Sequence, residues 1–153
     1  MNKLGYEYLK DRFNYCQNVS WTDVIDKIDN EFKNLSYKLM VEERQAPTFV
    51  LRNLYLPGTL RQVFNKVNED MKTKILHVYT SLGGNSPTFG RHKDTMDVLI
   101  IQSIGSVKYR IDNNSIESDI VTLNPGDGII IREGVYHTPI IQQPRVTLSF
   151  SWR

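Results

Sequence analysis

The amino-acid sequence predicts a mainly β domain, an antiparallel barrel or sandwich with helices at its N-terminal end. Before residue 46 the apolar residues repeat at helical spacing, whereas from about residue 74 short segments of strand character alternate with turn signals. Six or seven such strands follow one another with no helix between them, which is typical of barrels and sandwiches. We expect one compact domain, in which a helical segment, residues 1–45, packs on a β part, residues 46–153.

Two amphipathic helices and one strand are predicted before residue 74. The first helix follows Ser20, which together with Asp23 resembles a capping box. Its apolar side chains recur at i, i+3, i+4, i+7 and i+11 and share one face: Trp21, Val24, Ile25, Ile28 and Phe32. A strand over residues 46–51 precedes the second helix, which begins after the turn at residues 57–59. The second helix also has an apolar inner face: Leu60, Val63, Phe64, Val67 and Met71.

The rest of the chain is predicted to form short strands joined by turns. A strand over residues 75–80 is followed by a loop at 82–89 that is rich in Gly and Ser. A hairpin is expected to turn at residues 104–105, and the Pro-Gly-Asp-Gly sequence at 125–128 is a second turn. The later strands are expected over residues 97–102, 106–111, 120–123, 129–131 and 145–152.

The composition excludes several classes of protein. The 19 Lys and Arg against 17 Asp and Glu give a formal charge of +2, which is too small to predict nucleic-acid binding. Cys16 is the only cysteine, so a disulfide framework is excluded and a reducing compartment is expected. No apolar stretch reaches the roughly 18 residues of a membrane span, and the N-terminus lacks the apolar core of a signal peptide. We therefore expect a cytoplasmic protein that contacts no membrane.

Three residues of the β part have the types and spacing of metal ligands. His92 and Asp94 are two positions apart, so on an extended segment both side chains point to the same side. His137 follows about forty-five residues later, after a turn that can return the chain to the same mouth of a barrel. Two imidazoles and one carboxylate on one face of a metal leave the opposite positions open, as non-haem Fe(II) oxygenases require. The sequence therefore predicts a mononuclear site, with Fe(II) as the expected metal.

The first run of residues around these ligands is FGRHKDTMDVLIIQ at 89–102, followed by Gly105 and by Lys-Tyr-Arg at 108–110. It resembles the Jumonji-C/cupin-like 2-oxoglutarate oxygenases, and among them the ribosomal-protein hydroxylases. These proteins have a similar His-x-Asp run that leads into a pair of strands.

The second run is Leu-Asn-Pro-Gly-Asp at 123–127, followed by Ile131, Gly134 and His137. It is similar to the second cupin motif, although the chain has Arg132 where a proline is usual. The two runs lie within residues 75–153, about half of the chain, and the helical N-terminal part resembles nothing specific.

This resemblance implies a double-stranded β-helix, the jelly-roll or cupin barrel, with Fe(II) held by His92, Asp94 and His137. It also implies 2-oxoglutarate as co-substrate and hydroxylation as the reaction. The substrate would be an amino-acid side chain, in a peptide or free, or another small molecule. A homodimer is left open.

The site for 2-oxoglutarate departs from the family pattern. The family's Lys or Arg falls fifteen residues after the first histidine ligand, where this chain has Val107. Arg145 and Thr147 share one face of the last strand and resemble the Arg-x-Ser/Thr pair of other 2-oxoglutarate oxygenases, so a guanidinium and a hydroxyl can reach one carboxylate. Three further residues are candidates for co-substrate contacts: Tyr109, Tyr79 and Lys108.

Two other classes of function remain open at this point. One is a cupin metalloenzyme that works without 2-oxoglutarate, although such cupins usually contribute three His and a Glu. The other is a non-catalytic cupin-like binding module, which Val107 favours. Of the remaining polar residues, His77 is expected in the core or behind the site, Asp97 is expected to support the metal loop, and Asp127 to serve its turn. The loop at 82–89 is the expected lid.

Overall fold

The computed structural model describes residues 1–33, 48–114 and 117–153. Within that part of the chain, nine strands and two α-helices are formed, together with a 3-10 helix at Asn14–Asn18. The helices are α1 (Trp21–Lys33) and α2 (Gly58–Met71). The strands are β1 (Tyr6–Leu9), β2 (Thr48–Arg52), β3 (Ile75–Ser81), β4 (Val98–Ile104), β5 (Val107–Asp112), β6 (Ser118–Leu123), β7 (Gly128–Ile131), β8 (Tyr136–Ile141) and β9 (Arg145–Ser151).

The strands form two antiparallel sheets. The larger sheet has six strands in the order β1-β7-β4-β9-β3-β2, and the smaller has three in the order β6-β5-β8. β9 lies in the middle of the larger sheet, where it pairs with β4 on one side and with β3 on the other. The mainly β fold predicted from the sequence is confirmed.

The two faces of the larger sheet have different environments because the side chains of β9 alternate in polarity. Val146, Leu148 and Phe150 point towards the helices and belong to a first core. The helices contribute these buried residues to the same core: Val24, Leu60, Val63 and Val67. On the other face, Ile100 and Ile129 pack against the smaller sheet in a second core. That second core involves the β1, β7 and β4 half of the sheet, so the inner face of β9, β3 and β2 is left to line a cavity.

The helix predictions hold with one correction. On α2, Leu60, Val63 and Val67 are buried, and Phe64 and Met71 pack against the same core. On α1, Val24 is buried and Trp21 and Ile28 pack beside it.

Ile25, which was also expected on the apolar face of α1, is 50% exposed. It lies about 100° around the helix from Val24, outside the narrow face that meets the core. The side chain of Phe32 lies outside what the structure describes.

Several strand predictions are also corrected. β1 and β8 were not predicted, and β2 begins at Thr48, while residues 46 and 47 of the expected first strand lie outside the described residues. β4 and β5 do not form the expected hairpin, because the turn at Gly105 passes the chain from the larger sheet to the smaller one. Among the described residues the two sheets stay open, and the expected closed barrel is not formed.

The segment between β3 and β4 accounts for this open arrangement. It contributes one isolated bridge, His92 with His137, where a full strand would extend the smaller sheet beyond β8. No helix within residues 1–33, 48–114 or 117–153 is long and apolar enough to cross a bilayer.

Candidate metal centre

His92, Asp94 and His137 converge on one point, as the sequence predicted for metal ligands. One nitrogen or oxygen atom from each side chain lies within 4.8 Å of the other two. The Nε2 atom of His137 is 3.4 Å from Oδ2 of Asp94, and the two imidazole centroids are 4.3 Å apart. Two imidazoles and one carboxylate, converging in this way, are a donor set that fits Fe(II) or a similar divalent metal.

The backbone fixes which imidazole nitrogen is free to bind a metal. Nδ1 of His92 lies 2.9 Å from the carbonyl oxygen of Gly90, and Nδ1 of His137 lies 3.1 Å from that of Val135. A carbonyl oxygen only accepts, so each Nδ1 carries the proton and each Nε2 is left with its lone pair. Burial lowers the pKa of His137, which favours the neutral, metal-binding form of the ring.

Backbone pairing also places the two ligand-bearing segments side by side. The amide of Gly134 donates to the carbonyl oxygen of Asp94 at 3.0 Å. The carboxylate of Asp97 accepts from the amide of Glu133 at 2.8 Å, so Asp97 supports the metal loop as expected. The candidate ligands are therefore held by a short hydrogen-bond network rather than by a long strand.

Arg91 fastens the same loop to the outer side of the smaller sheet. Its guanidinium donates to both carboxylate oxygens of Asp112, at 3.0 and 2.8 Å, and lies 3.7 Å from the centre of the Tyr136 ring. These hydrogen bonds lower the pKa of Asp112 to about 2. The side chain next to His92 thus acts as an anchor for the loop.

The three ligands line a cavity of about 420 Å³ between the two sheets. The cavity floor is the inner face of β3 and β9, and residues 87–89 of the expected lid lie at its mouth. The ring of Phe89, 66% exposed, makes edge contacts with Tyr79 and His92 at centroid distances of 6.1 Å each. The volume suits a small ligand or a single side chain.

Arg145 is the second feature of this cavity. It is only 2% exposed, and its Nε donates to the Ser81 hydroxyl at 2.9 Å. Burial lowers the pKa of this guanidinium, which nevertheless stays charged at physiological pH. Within the described residues no carboxylate forms an ion pair with it. A buried cation without a counter-ion is costly, so this position is suited to receive an anion.

Tyr109 and Thr147 complete the surroundings of Arg145. The Tyr109 hydroxyl lies beside the guanidinium and the Thr147 hydroxyl, and burial raises its pKa to about 12. Thr147 donates to Oε1 of Gln102 at 2.8 Å. Tyr79 lies on the other side, with the guanidinium 5.7 Å from its ring centre. The tyrosine and threonine hydroxyls and the guanidinium therefore meet in one place.

The other sequence candidates lie elsewhere or have different surroundings. Lys108 is exposed on the outer face of β5 and does not line the cavity, whereas Val107 is buried in the second core. Asp127 serves its turn, as expected, by accepting from the amide of Asn124 at 3.0 Å. His77, expected in the core or behind the site, is half-buried and faces the cavity.

Sequence reasoning missed the parts of the site contributed by Ser81, Gln102 and Ser149. Ser81 and Gln102 contact residues 64 and 45 positions away, and no local pattern predicts such partners. Ser149 had a usable signal, because polar residues occupy every second position of β9 in the sequence RVTLSFS.

The comparisons with known proteins agree with this geometry at the level of the fold. No protein-family model matches the chain, and no curated protein sequence matches it. The X-ray structure of Escherichia coli YcfD superposes with a TM-score of 0.74 at 16% identity, over 97% of this chain and 49% of that one. The complex of YcfD, a ribosomal oxygenase, with cobalt and succinic acid gives 0.73 at 17% identity, over 97% and 48%. The chain therefore spans about half the length of these solved structures.

A further YcfD complex, with cobalt and 2-oxoglutarate, matches 60% of this chain and 28% of that one, with a TM-score of 0.51 at 22% identity. At such identities the likeness concerns the fold alone. The resemblance to the Jumonji-C/cupin-like oxygenases that the sequence predicted is confirmed in that sense.

Proposed function

We propose that this chain is an Fe(II)- and 2-oxoglutarate-dependent oxygenase that hydroxylates an amino-acid side chain or a small molecule. The observation that carries the proposal is Arg145, a buried guanidinium without a carboxylate partner among the described residues, in the same cavity as the metal triad. A dicarboxylate that chelates the metal at one end needs such a cation at the other. YcfD, with the similar fold, has been captured with cobalt and 2-oxoglutarate.

In this mechanism the residues of the chain bind, orient and exclude water. His92, Asp94 and His137 would hold the metal, and the cavity beside them would give room for further ligands. Bound there, Fe(II) would supply the activation of O₂ that couples oxidative decarboxylation of 2-oxoglutarate to hydroxylation of a C–H bond. Arg145 and Thr147 bind the distal carboxylate, and the neutral Tyr109 hydroxyl donates to the same group.

Tyr79 and Phe89 have a different part in the proposal. Their rings cover the approach from the lid loop to His92, and so limit the entry of water. We also propose that the two open sheets are the halves of a double-stranded β-helix, with the site between them. The division at residue 45 stays a prediction.

The test is an anaerobic titration with Fe(II) and 2-oxoglutarate, followed by the weak metal-to-ligand charge-transfer absorption of the chelated co-substrate. We expect a saturable band, together with succinate formation when O₂ and a substrate are admitted. Iron that binds without producing a band would exclude the oxoglutarate reaction and leave the metal centre.

One observation favours a second candidate, a cupin metalloenzyme that works without 2-oxoglutarate. Val107 occupies the position of the family's basic residue and is packed in an apolar core, so no cation can be recruited there. In that case the titration would show bound iron, no band, and turnover that is independent of 2-oxoglutarate. A chain that binds no iron would instead be a non-catalytic binding module.

A further inference from the structure

The inner face of β9 carries a polar side chain at every second position, and this face lines the cavity. Three of the four have partners inside the protein. Arg145 donates to Ser81, Thr147 donates to Gln102, and the Ser151 hydroxyl donates to the carbonyl oxygen of Arg153 at 3.1 Å. The fourth is Ser149, whose hydroxyl has no hydrogen-bond partner in the described part of the chain.

His77 lies directly beside Ser149. The two residues are cross-strand partners in the pairing of β3 with β9, and both side chains line the cavity that holds the metal triad. Within residues 1–33, 48–114 and 117–153, no protein group is hydrogen-bonded to the His77 imidazole either. A half-buried imidazole and hydroxyl, side by side and both unsatisfied by the protein, are available to a ligand.

Apolar side chains surround this polar pair on the cavity wall: Val50, Ile75, Met96 and Val98. Among the lining side chains that the structure describes, the only carboxylate is that of Asp94, which the proposed metal needs. Arg153, at the cavity edge, is already engaged with Thr95 and Glu133. A cation bound beside His77 and Ser149 would therefore have no carboxylate side chain other than that of Asp94, and an anion would have to compete with Glu133 for Arg153.

We propose that His77 and Ser149 form the substrate subsite, and that it takes a neutral group which both donates and accepts hydrogen bonds, such as a carboxamide, on an apolar stem. This inference rests on the proposed function, because it assumes that Arg145 is occupied by the co-substrate. The imidazole and the hydroxyl can each donate or accept one hydrogen bond, so together they match both halves of a carboxamide. The apolar side chains of the cavity wall would contact the apolar stem of the substrate.

The test uses four probes of similar size: the N-acetyl methylamides of glutamine, norleucine, glutamate and arginine. Each is titrated by NMR into protein loaded with Zn(II), which is redox-silent, and with 2-oxoglutarate. We expect the glutamine probe to bind most tightly. We also expect His77→Leu to weaken the affinity for the glutamine probe by about tenfold and Ser149→Ala by several-fold, because each variant loses a single hydrogen bond. The affinity for the norleucine probe should not change in either variant.

Two matched variants control for indirect effects. Ser106→Ala removes a hydroxyl that bonds to Asn124 outside the cavity and should leave all four titrations unchanged. His77→Gln keeps a polar head and should recover part of the affinity lost in His77→Leu, provided that both variants melt near the wild-type temperature. Free glutamine, compared with its N-acetyl methylamide, distinguishes a free amino acid from a residue within a polypeptide, and binding of either supports the subsite.

The proposal is overturned if the arginine or glutamate probe binds best, if no probe binds, or if His77→Leu and Ser149→Ala leave the glutamine titration unchanged. The charge-transfer titration of the same variants is a separate readout, because neither residue contacts the metal or Arg145. A missing band in the wild type refutes the oxygenase, whereas an intact band with equal binding of the four probes refutes only the subsite.

Discussion

His92 and His137 are bonded to each other through both of their backbone groups. The amide of His92 donates to the carbonyl oxygen of His137 at 3.1 Å, and the amide of His137 donates to the carbonyl oxygen of His92 at 2.8 Å. One closed pair of hydrogen bonds thus places the two imidazoles side by side, with their ring planes tilted by 60°, without a strand around His92. The backbone pairing of these two residues therefore fixes the spacing of the two candidate ligands.

Removal of one of these imidazoles should abolish metal binding selectively. We expect His137→Ala to weaken Co(II) or Fe(II) binding by more than about a hundredfold, since changes behind the ligands alone cost 10–100-fold. His77→Ala, in the same cavity, is the matched control and should keep wild-type affinity. The measurement is an anaerobic titration of the visible absorption of Co(II). Equal losses in both variants would contradict the assignment of the triad.

Replacement of the buried guanidinium should affect the co-substrate and spare the metal. Arg145→Ala is expected to raise the apparent Kd for 2-oxoglutarate by at least about thirtyfold, because loss of one partner of a buried charged pair costs roughly 2 kcal/mol or more. Lys108→Ala, which removes an exposed cation from the other face of β5, should change nothing. The Kd is read from the charge-transfer band, with Co(II) affinity measured in parallel. An unaltered Kd for Arg145→Ala would remove this residue from the site.

The turn between the two sheets should tolerate no side chain. Gly105 has a φ of +70°, and a Cβ there would fall on the carbonyl oxygen of Pro144. Gly134 has a similar φ of +80° with nothing within 4 Å of its Cβ position. Gly134→Ala should therefore cost about 1–2 kcal/mol for the left-handed backbone alone, and Gly105→Ala about 1–3 kcal/mol more for the clash. Urea denaturation measures both, and equal losses would contradict the argument.

The contact between the helices should depend on pH. The Asp23 carboxylate accepts from the amide and the hydroxyl of Thr59, at 2.7 and 2.5 Å, and these bonds lower its pKa. Since the folded pKa lies below the unfolded value of about 3.9, the stabilisation is present above that value and is lost as pH falls through the folded pKa. Asp23→Asn should cost about 1–2 kcal/mol at pH 7 and less near pH 3.

The same denaturation series on Asp29→Asn provides the control, because Asp29 is exposed on the same helix. Its free energy of unfolding should follow that of the wild type at every pH. A deficit in Asp23→Asn that does not change between pH 7 and pH 3 would mean that the carboxylate charge has no part in the contact.

The convergence of His92, Asp94 and His137 was predictable because residue type and spacing were enough to indicate it. His-x-Asp on an extended segment, and a histidine after a Gly-containing turn, need no knowledge of distant contacts. Arg145 was predictable in the same way, from strand alternation in the last element.

The missed elements were those whose structure depends on distant partners. β8 contains Pro139, which weakens a strand signal and is tolerated because β8 lies at a sheet edge. β1 is only four residues long and is formed by pairing with β7, more than a hundred residues away. Whether the chain forms a hairpin at Gly105 or passes from the larger sheet to the smaller one was likewise decided by the strands with which β4 and β5 pair, and not by the turn sequence.

The alternation of polar and apolar side chains along β9 links the correct register of this strand to the formation of the proposed binding site. A shift of one residue in its register would turn Arg145, Thr147 and Ser149 towards the helices and Leu148 and Phe150 into the cavity. Such a chain would bury the Arg145 cation in the apolar core beneath the helices and would lose the apolar contacts of Leu148 and Phe150. A folded but inactive form with this register would therefore be unstable. If 2-oxoglutarate binds at Arg145 as proposed, the bound fraction would count the correctly folded molecules in any preparation of this protein.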